Sequence, residues 1–85
     1  MFKIFPNPIA NDFEISYSIP DDDRVSLSIY NSNGKLVATL FDQLQKAGNY
    51  RHSVGTKSLN LSNGIYFVRF SCGEKVLLQK ALKAE

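Results

Sequence analysis

An all-β fold, an immunoglobulin-like β-sandwich of about seven short antiparallel strands, is the architecture this sequence predicts. Three observations carry the prediction. Apolar and polar residues alternate with period two along most of the chain, residues of turn chemistry recur about every ten positions, and no stretch shows a helical apolar stripe. The chain has 85 residues, which leaves room for one compact core and predicts that residues 1–85 act as one unit.

The elements follow in order. Phe2 to Phe5 reads as a short strand ended by Pro6-Asn7-Pro8, whose prolines remove backbone donors and confine it to an edge. Phe13, Ile15, Tyr17 and Ile19 alternate with Glu14, Ser16 and Ser18, the pattern of a half-buried strand. After the breaker Pro20-Asp21-Asp22-Asp23, Val25, Leu27 and Ile29 repeat it. Asn31-Ser32-Asn33-Gly34 supplies residues that tolerate positive φ, so Lys35 to Phe41 returns antiparallel to the preceding strand. Gln43 to Lys46 reads as a connection, Ala47-Gly48 as a break, and Asn49 to Val54 as a strand with Tyr50, His52 and Val54 on one side.

Gly55 to Asn63 is polar and irregular, with Leu59 and Leu61 expected to plug into the core. Asn63-Gly64 opens the strongest strand, Ile65 to Phe70, rich in β-branched and aromatic residues. Cys72-Gly73 marks a hairpin turn with Gly73 in the left-handed position, and Glu74 to Lys83 forms the last strand. In the strong strand Tyr66, Val68 and Phe70 face the core, while Ile65 and Phe67 emerge beside Arg69. Val37, Thr39 and Phe41 repeat that pattern. Apolar residues on both faces call for a covering segment or a docking patch.

Composition excludes several functions. The net charge of +2, spread along the chain, is no concentrated field for nucleic acid. Five of the eight acidic residues fall between Asp12 and Asp23, and Lys75, Lys80 and Lys83 mark the last strand, which predicts one acidic end and one mildly basic end. The longest apolar run, Ile65 to Val68, is too short to insert into a bilayer, and no signal-peptide pattern follows Met1. Cys72, the one cysteine, has no internal partner, and Glu74 nearby works against a reactive thiolate.

Chemistry is sparse. His52 is the one histidine, sits inside a strand and has no catalytic motif beside it. One His and one Cys make no zinc set, no glycine-rich loop opens a helix, and Asp21-Asp22-Asp23 lacks the spacing of a helix-loop-helix calcium site. No catalytic residue, metal ligand or cofactor is therefore assigned, and the expected class is a non-enzyme.

The order of these segments resembles the C-terminal sorting domain of the type IX, or Por, secretion system, found at the ends of many exported Bacteroidetes proteins. The residues that carry the resemblance are Phe5-Pro6-Asn7-Pro8, Val25 to Tyr30 leading into Asn33-Gly34-Lys35-Leu36-Val37, Ala47-Gly48 with Tyr50, Leu59 through Asn63-Gly64-Ile65-Tyr66-Phe67-Val68-Arg69, and Lys80-Ala81-Leu82-Lys83. Lys83-Ala84-Glu85 is more acidic than the usual family ending.

The resemblance implies a domain at the C-terminus of a larger exported chain. It implies passage through the periplasm, recognition by the outer-membrane translocation and sorting machinery, and delivery to the cell surface or medium, with any enzyme activity in the upstream cargo. Motif or recognition roles fall on Pro6, Asn7, Pro8, Gly34, Lys35, Gly48, Gly64, Tyr66, Lys80 and Lys83. Lys80 and Lys83 form or support the recognised surface, held by Gly64 and Tyr66. A passive immunoglobulin-like spacer and a carbohydrate-binding accessory module of a secreted protein are the alternatives, the latter disfavoured by the absence of tryptophan.

Overall fold

The computed structural model describes residues 2–6, 8–9 and 11–84. Seven strands follow one another: β1 (Phe2–Phe5), β2 (Asp12–Ile19), β3 (Asp23–Asn31), β4 (Leu36–Gln45), β5 (Gly48–Gly55), β6 (Gly64–Cys72) and β7 (Lys75–Lys83). They form a three-stranded sheet in the order β1-β2-β5 and a four-stranded sheet in the order β4-β3-β6-β7. Every pairing between strands is antiparallel. The all-β sandwich read from the alternation is the fold observed.

The core lies between the two sheets. Ile4, Phe13, Ile15, Tyr17, Ile19 and Val54 from one sheet meet Val25, Leu27, Ile29, Tyr66, Val68, Phe70 and Ala81 from the other. Each fully buried Val, Leu or Ile contributes about 1.5–3 kcal/mol relative to an exposed one. Aromatic rings join the layers: Phe2 stacks on Phe70 with centroids 5.1 Å apart, and Tyr17 lies 4.8 Å from Phe70 and 6.0 Å from Phe41.

β4 departs from the sequence reading in two ways. It extends through Gln43, Leu44 and Gln45, which the sequence marks as a connection, because Gln45 is held inside: Tyr17 Oη donates to Gln45 Oε1 at 2.6 Å. Its register against β3 also shifts twice, leaving Val37 and Leu40 as extra residues opposite the steps Ile29/Tyr30 and Leu27/Ser28. Each bulge reverses the alternation beyond it. Thr39 thus pairs with outward Ser28 and Phe41 with inward Leu27, so Val37, Thr39 and Phe41 do not share one face.

The loop between β5 and β6 is anchored by Thr56 more than by its leucines. Thr56 is buried, and both its backbone N and its Oγ1 donate to Asn11 O, at 2.8 and 2.9 Å. Leu59 and Leu61 pack half-buried against the core edge.

The expected division into an acidic and a basic end forms only in part. Antiparallel pairing returns Lys75 to the end that holds Asp21 to Asp23, since Cys72 pairs with both Val25 and Lys75. Asp12, paired with Gly55, lies at the opposite end, where Lys83 pairs with Gly64.

Candidate functional site

Most residues singled out in the sequence come together at one end of the sandwich. β3 and β6 pair there through Asn31 and Tyr66, and β6 and β7 through Gly64 and Lys83. The turn holding Gly34 and Lys35 closes β3 at the same end. Its chemistry is local: Asn31 Oδ1 accepts from the backbone N of Asn33 at 2.9 Å and of Lys35 at 3.0 Å. Gly34 adopts a φ of 83°, which a side chain disfavours.

The segment after β1 crosses to the last strand. The Phe5–Pro6 peptide is cis, Pro6 and Pro8 are exposed, and Asn7 lies outside the described residues. Ile9, which the sequence reading did not single out, is the segment's anchor. It is 2% exposed and forms a parallel bridge to Lys83. Ile9 N donates to Leu82 O at 2.7 Å, and Ala84 N donates to Ile9 O at 3.4 Å. The segment is a strap that clamps the end of β7 to the start of the domain. A single apolar residue after a proline pair gives no periodic signal, which is why only the prolines were legible.

Gly64 and Tyr66 hold the neighbouring strand. Gly64 opens β6 with a φ of 150°, outside the range L-residues favour. Tyr66 is buried, and its Oη donates to Ser62 O at 2.7 Å, tying the preceding loop to the sheet. Gly48, with a φ of 151°, opens β5 opposite Ile19 at the far end of the molecule. It is the one glycine of the set that takes no part in this cluster.

The two lysines differ. Lys83 is 7% exposed, shares its inward-facing row with Gly64, and directs Nζ to Asn63 Oδ1 at 3.5 Å. Its place is inside the joint between loop and strap. Lys80 is exposed on the outer face, opposite Phe67. Around it lie Ile65, Val76, Leu78 and Leu82, all exposed, with Phe67 and Arg69 half-buried. The outward apolar residues of β6 are thus exposed or half-exposed beside those of β7.

The remaining polar candidates have structural partners. His52 Nε2 lies 3.3 Å from Tyr17 Oη, and its ring packs 4.8 Å from that of Phe41 and 5.8 Å from that of Tyr17. Burial, the largest cause, pushes the Tyr17 phenol above its ordinary value. Asp22 Oδ1 accepts from Ala47 N at 2.7 Å, and Asp23 Oδ1 from Arg24 N at 2.8 Å. Burial, followed by the Asp23 carboxylate, pushes the Cys72 thiol upward. The carboxylate with the largest influence is thus Asp23, where the sequence points to Glu74. Among the described residues no group of three or more His, Cys, Asp or Glu side chains is placed to hold a metal ion.

No curated protein matches this chain. The family described as secretion system C-terminal sorting domain matches residues 3–84. That match runs from the edge strand β1 through the strap to the residue after Lys83, and so takes in every element that builds the cluster. The chain belongs to the C-terminal sorting domains of the type IX secretion system, whose role is that of a sorting signal.

Proposed function

We propose that this domain is read as a folded object by the outer-membrane translocation and sorting machinery, through the end of the sandwich where the strap, β6 and β7 meet and the outward β6–β7 face beside it. One observation supports this most: Pro6, Pro8, Gly34, Lys35, Gly64, Tyr66 and Lys83, scattered through the sequence, gather at a single end. In this reading Lys80 and Phe67 belong to the contacted face, and Gly64, Tyr66 and Lys83 hold it in shape. A surface fixed by a sandwich spares the receptor the ordering cost of binding a flexible tail.

The whole of residues 1–85 acts as one unit, and the larger chain carries its cargo ahead of β1. The domain itself performs no chemistry, so catalysis belongs to the cargo. Transit runs through the periplasm to the cell surface or medium. No observation favours a spacer or a carbohydrate-binding module.

The test is fusion of the domain to a periplasm-exported reporter in a cell with a type IX system, reading surface delivery by protease accessibility. Lys80→Ala with Phe67→Ser lowers delivery while the purified domain keeps its melting temperature to within a few degrees. Undiminished delivery removes the β6–β7 face from the proposal. Lys83→Met, which keeps the bulk of a buried side chain, separates support from charge recognition: delivery is retained if Lys83 only supports.

A further inference from the structure

Of the ten lysines and arginines eight are exposed, and Lys83 is buried beside Asn63 Oδ1. Arg69 is the exception. It is half-buried, and among the described residues nothing accepts a hydrogen bond from its guanidinium or forms an ion pair with it. Holding a cation part way out of water without a counter-charge costs free energy that the fold itself does not recover.

The register of the larger sheet sets what surrounds it. Arg69 stands on the outward face between Ser28 of β3 and Leu78 of β7, with Phe67 and Ser71 two residues away along β6. Toward β3 the neighbours are short hydroxyls that satisfy one another: Ser26 bonds Ser71, and Ser28 Oγ donates to Thr39 Oγ1 at 3.5 Å. Toward β7 they are apolar, with Ile65, Val76, Leu78 and Leu82 all exposed. Asp42, the carboxylate of this face, stands opposite Ser26 and takes Arg24 Nε at 2.9 Å. Glu14 pairs with Arg51 on the smaller sheet, and Asp12 lies there opposite Gly55. Asp21 to Asp23 and Glu74 lie at the end where Cys72 pairs with Val25 and Lys75.

We infer that the protein partner of the β6–β7 face supplies the missing charge: an aspartate or glutamate set among apolar side chains. Its carboxylate sits on the Arg69 guanidinium and its apolar neighbours on Phe67, Leu78 and Ile65. This rests on that face being the one the sorting machinery reads. A planar guanidinium takes a carboxylate through two parallel N–H donors, and partial burial protects the pair from screening. A phosphate-bearing surface fits less well, because such surfaces call for clustered cations. Here Arg24 is spent on Asp42, Lys80 is already engaged within the chain, and one side of Arg69 is apolar.

The reporter fusion and the purified chain test this together. Arg69→Met keeps the stem and removes the charge. The purified variant melts at the temperature of the unmutated chain or above it, because no group in the fold loses a bond. Delivery falls about tenfold, the weight of one partly buried charge pair, and Arg69→Lys, a point charge without the fork, lies between. With Leu78→p-benzoylphenylalanine, illumination during export links the fusion to an outer-membrane protein through a peptide that contains Asp or Glu. Changing that acid to Arg restores delivery of Arg69→Glu. Undiminished delivery of Arg69→Met and Arg69→Glu, melting lowered by more than a few degrees, a linked peptide without an acid, or linkage to a second copy overturns the assignment. Vesicles of phosphatidylglycerol and phosphatidylethanolamine that bind the purified chain only while Arg69 is present overturn it in favour of phosphate. If Lys80→Ala with Phe67→Ser lowers delivery and Arg69→Met does not, the carboxylate alone is refuted; if neither does, the reading of the face falls with it.

Discussion

The two hairpins that flank the central β3–β6 pair solve the same problem in opposite ways. Between β3 and β4 the chain turns through Ser32 to Lys35, held by the Asn31 side chain, and β4 then leaves β3 through two bulges. Between β6 and β7 a two-residue turn, Gly73-Glu74, hands over to nine uninterrupted pairs. Gly73 has a φ of 60° in the first of the two turn positions, the place that a type II′ hairpin turn reserves for glycine. The side-chain-held turn accompanies an interrupted edge, and the tight turn a regular one. The two edges of the larger sheet therefore differ in regularity as their turns differ in chemistry.

The strand between the hairpins is the place to break both at once. Leu27 is fully buried and pairs with Phe41 on one side and Phe70 on the other. Leu27→Ala lowers the unfolding free energy by about 2–5 kcal/mol, read as a shift of the urea midpoint. A change below about 1 kcal/mol would mean that the core collapses around the gap, and that the hairpins do not depend on a common strand.

Next in size is Gly73→Ala. A side chain in left-handed backbone costs about 1–2 kcal/mol, and here a Cβ would also press on the Asp23 carboxylate. That carboxylate is occupied as the acceptor for Arg24 N. The expected loss is about 1.5–3 kcal/mol, and a double-mutant cycle with Asp23→Ala recovers the part that comes from crowding. Additive losses would show that Asp23 swings aside freely.

How much of this was legible in the sequence depends on the range of the interaction involved. β2, β3 and β6 were readable because their alternation is set by one buried face, and the Asn31 to Gly34 and Gly73 turns because their chemistry is local. The tail of β4 was not, since Gln43 and Gln45 look like linker until Tyr17, far off in sequence, brings its hydroxyl to Gln45. The bulges at Val37 and Leu40 were hidden for the same reason: they show only against β3. Of the candidate site, the motif positions could be read from their order along the chain. The inward placement of Lys83 and the strap role of Ile9 could not, because both arise where the two ends of the chain meet.

Tyr17 joins the two regions from the opposite sheet, and Tyr17→Phe costs about 1 kcal/mol by leaving Gln45 Oε1 without its donor. Its pH dependence has a definite sign. The folded-state phenol sits above the ordinary 10.0, chiefly through burial, so the unfolded chain ionises first. The stabilisation is complete below pH 10 and is lost as the pH rises through the folded value. The advantage of the unmutated chain over Tyr17→Phe, measured by urea unfolding, should therefore be constant from neutral pH to about 9 and shrink above 10. An advantage that grows with alkalinity would contradict the burial.

The smallest effect belongs to Gly34→Ala, and it sharpens the comparison between the hairpins. A Cβ at position 34 meets nothing within 4 Å, so only the strain of the 83° φ remains, about 1 kcal/mol. The Asn31 side chain keeps its two backbone donors whichever residue stands there. With Asp23 removed, Gly73→Ala should converge on the same loss as Gly34→Ala, because backbone strain is then the one cost the two turns share. If the two values stay apart in that background, the tight turn draws on the nine regular pairs behind it. Distortion at Gly73 would then pass along β7, where the bulged β4 interrupts any such transmission from Gly34.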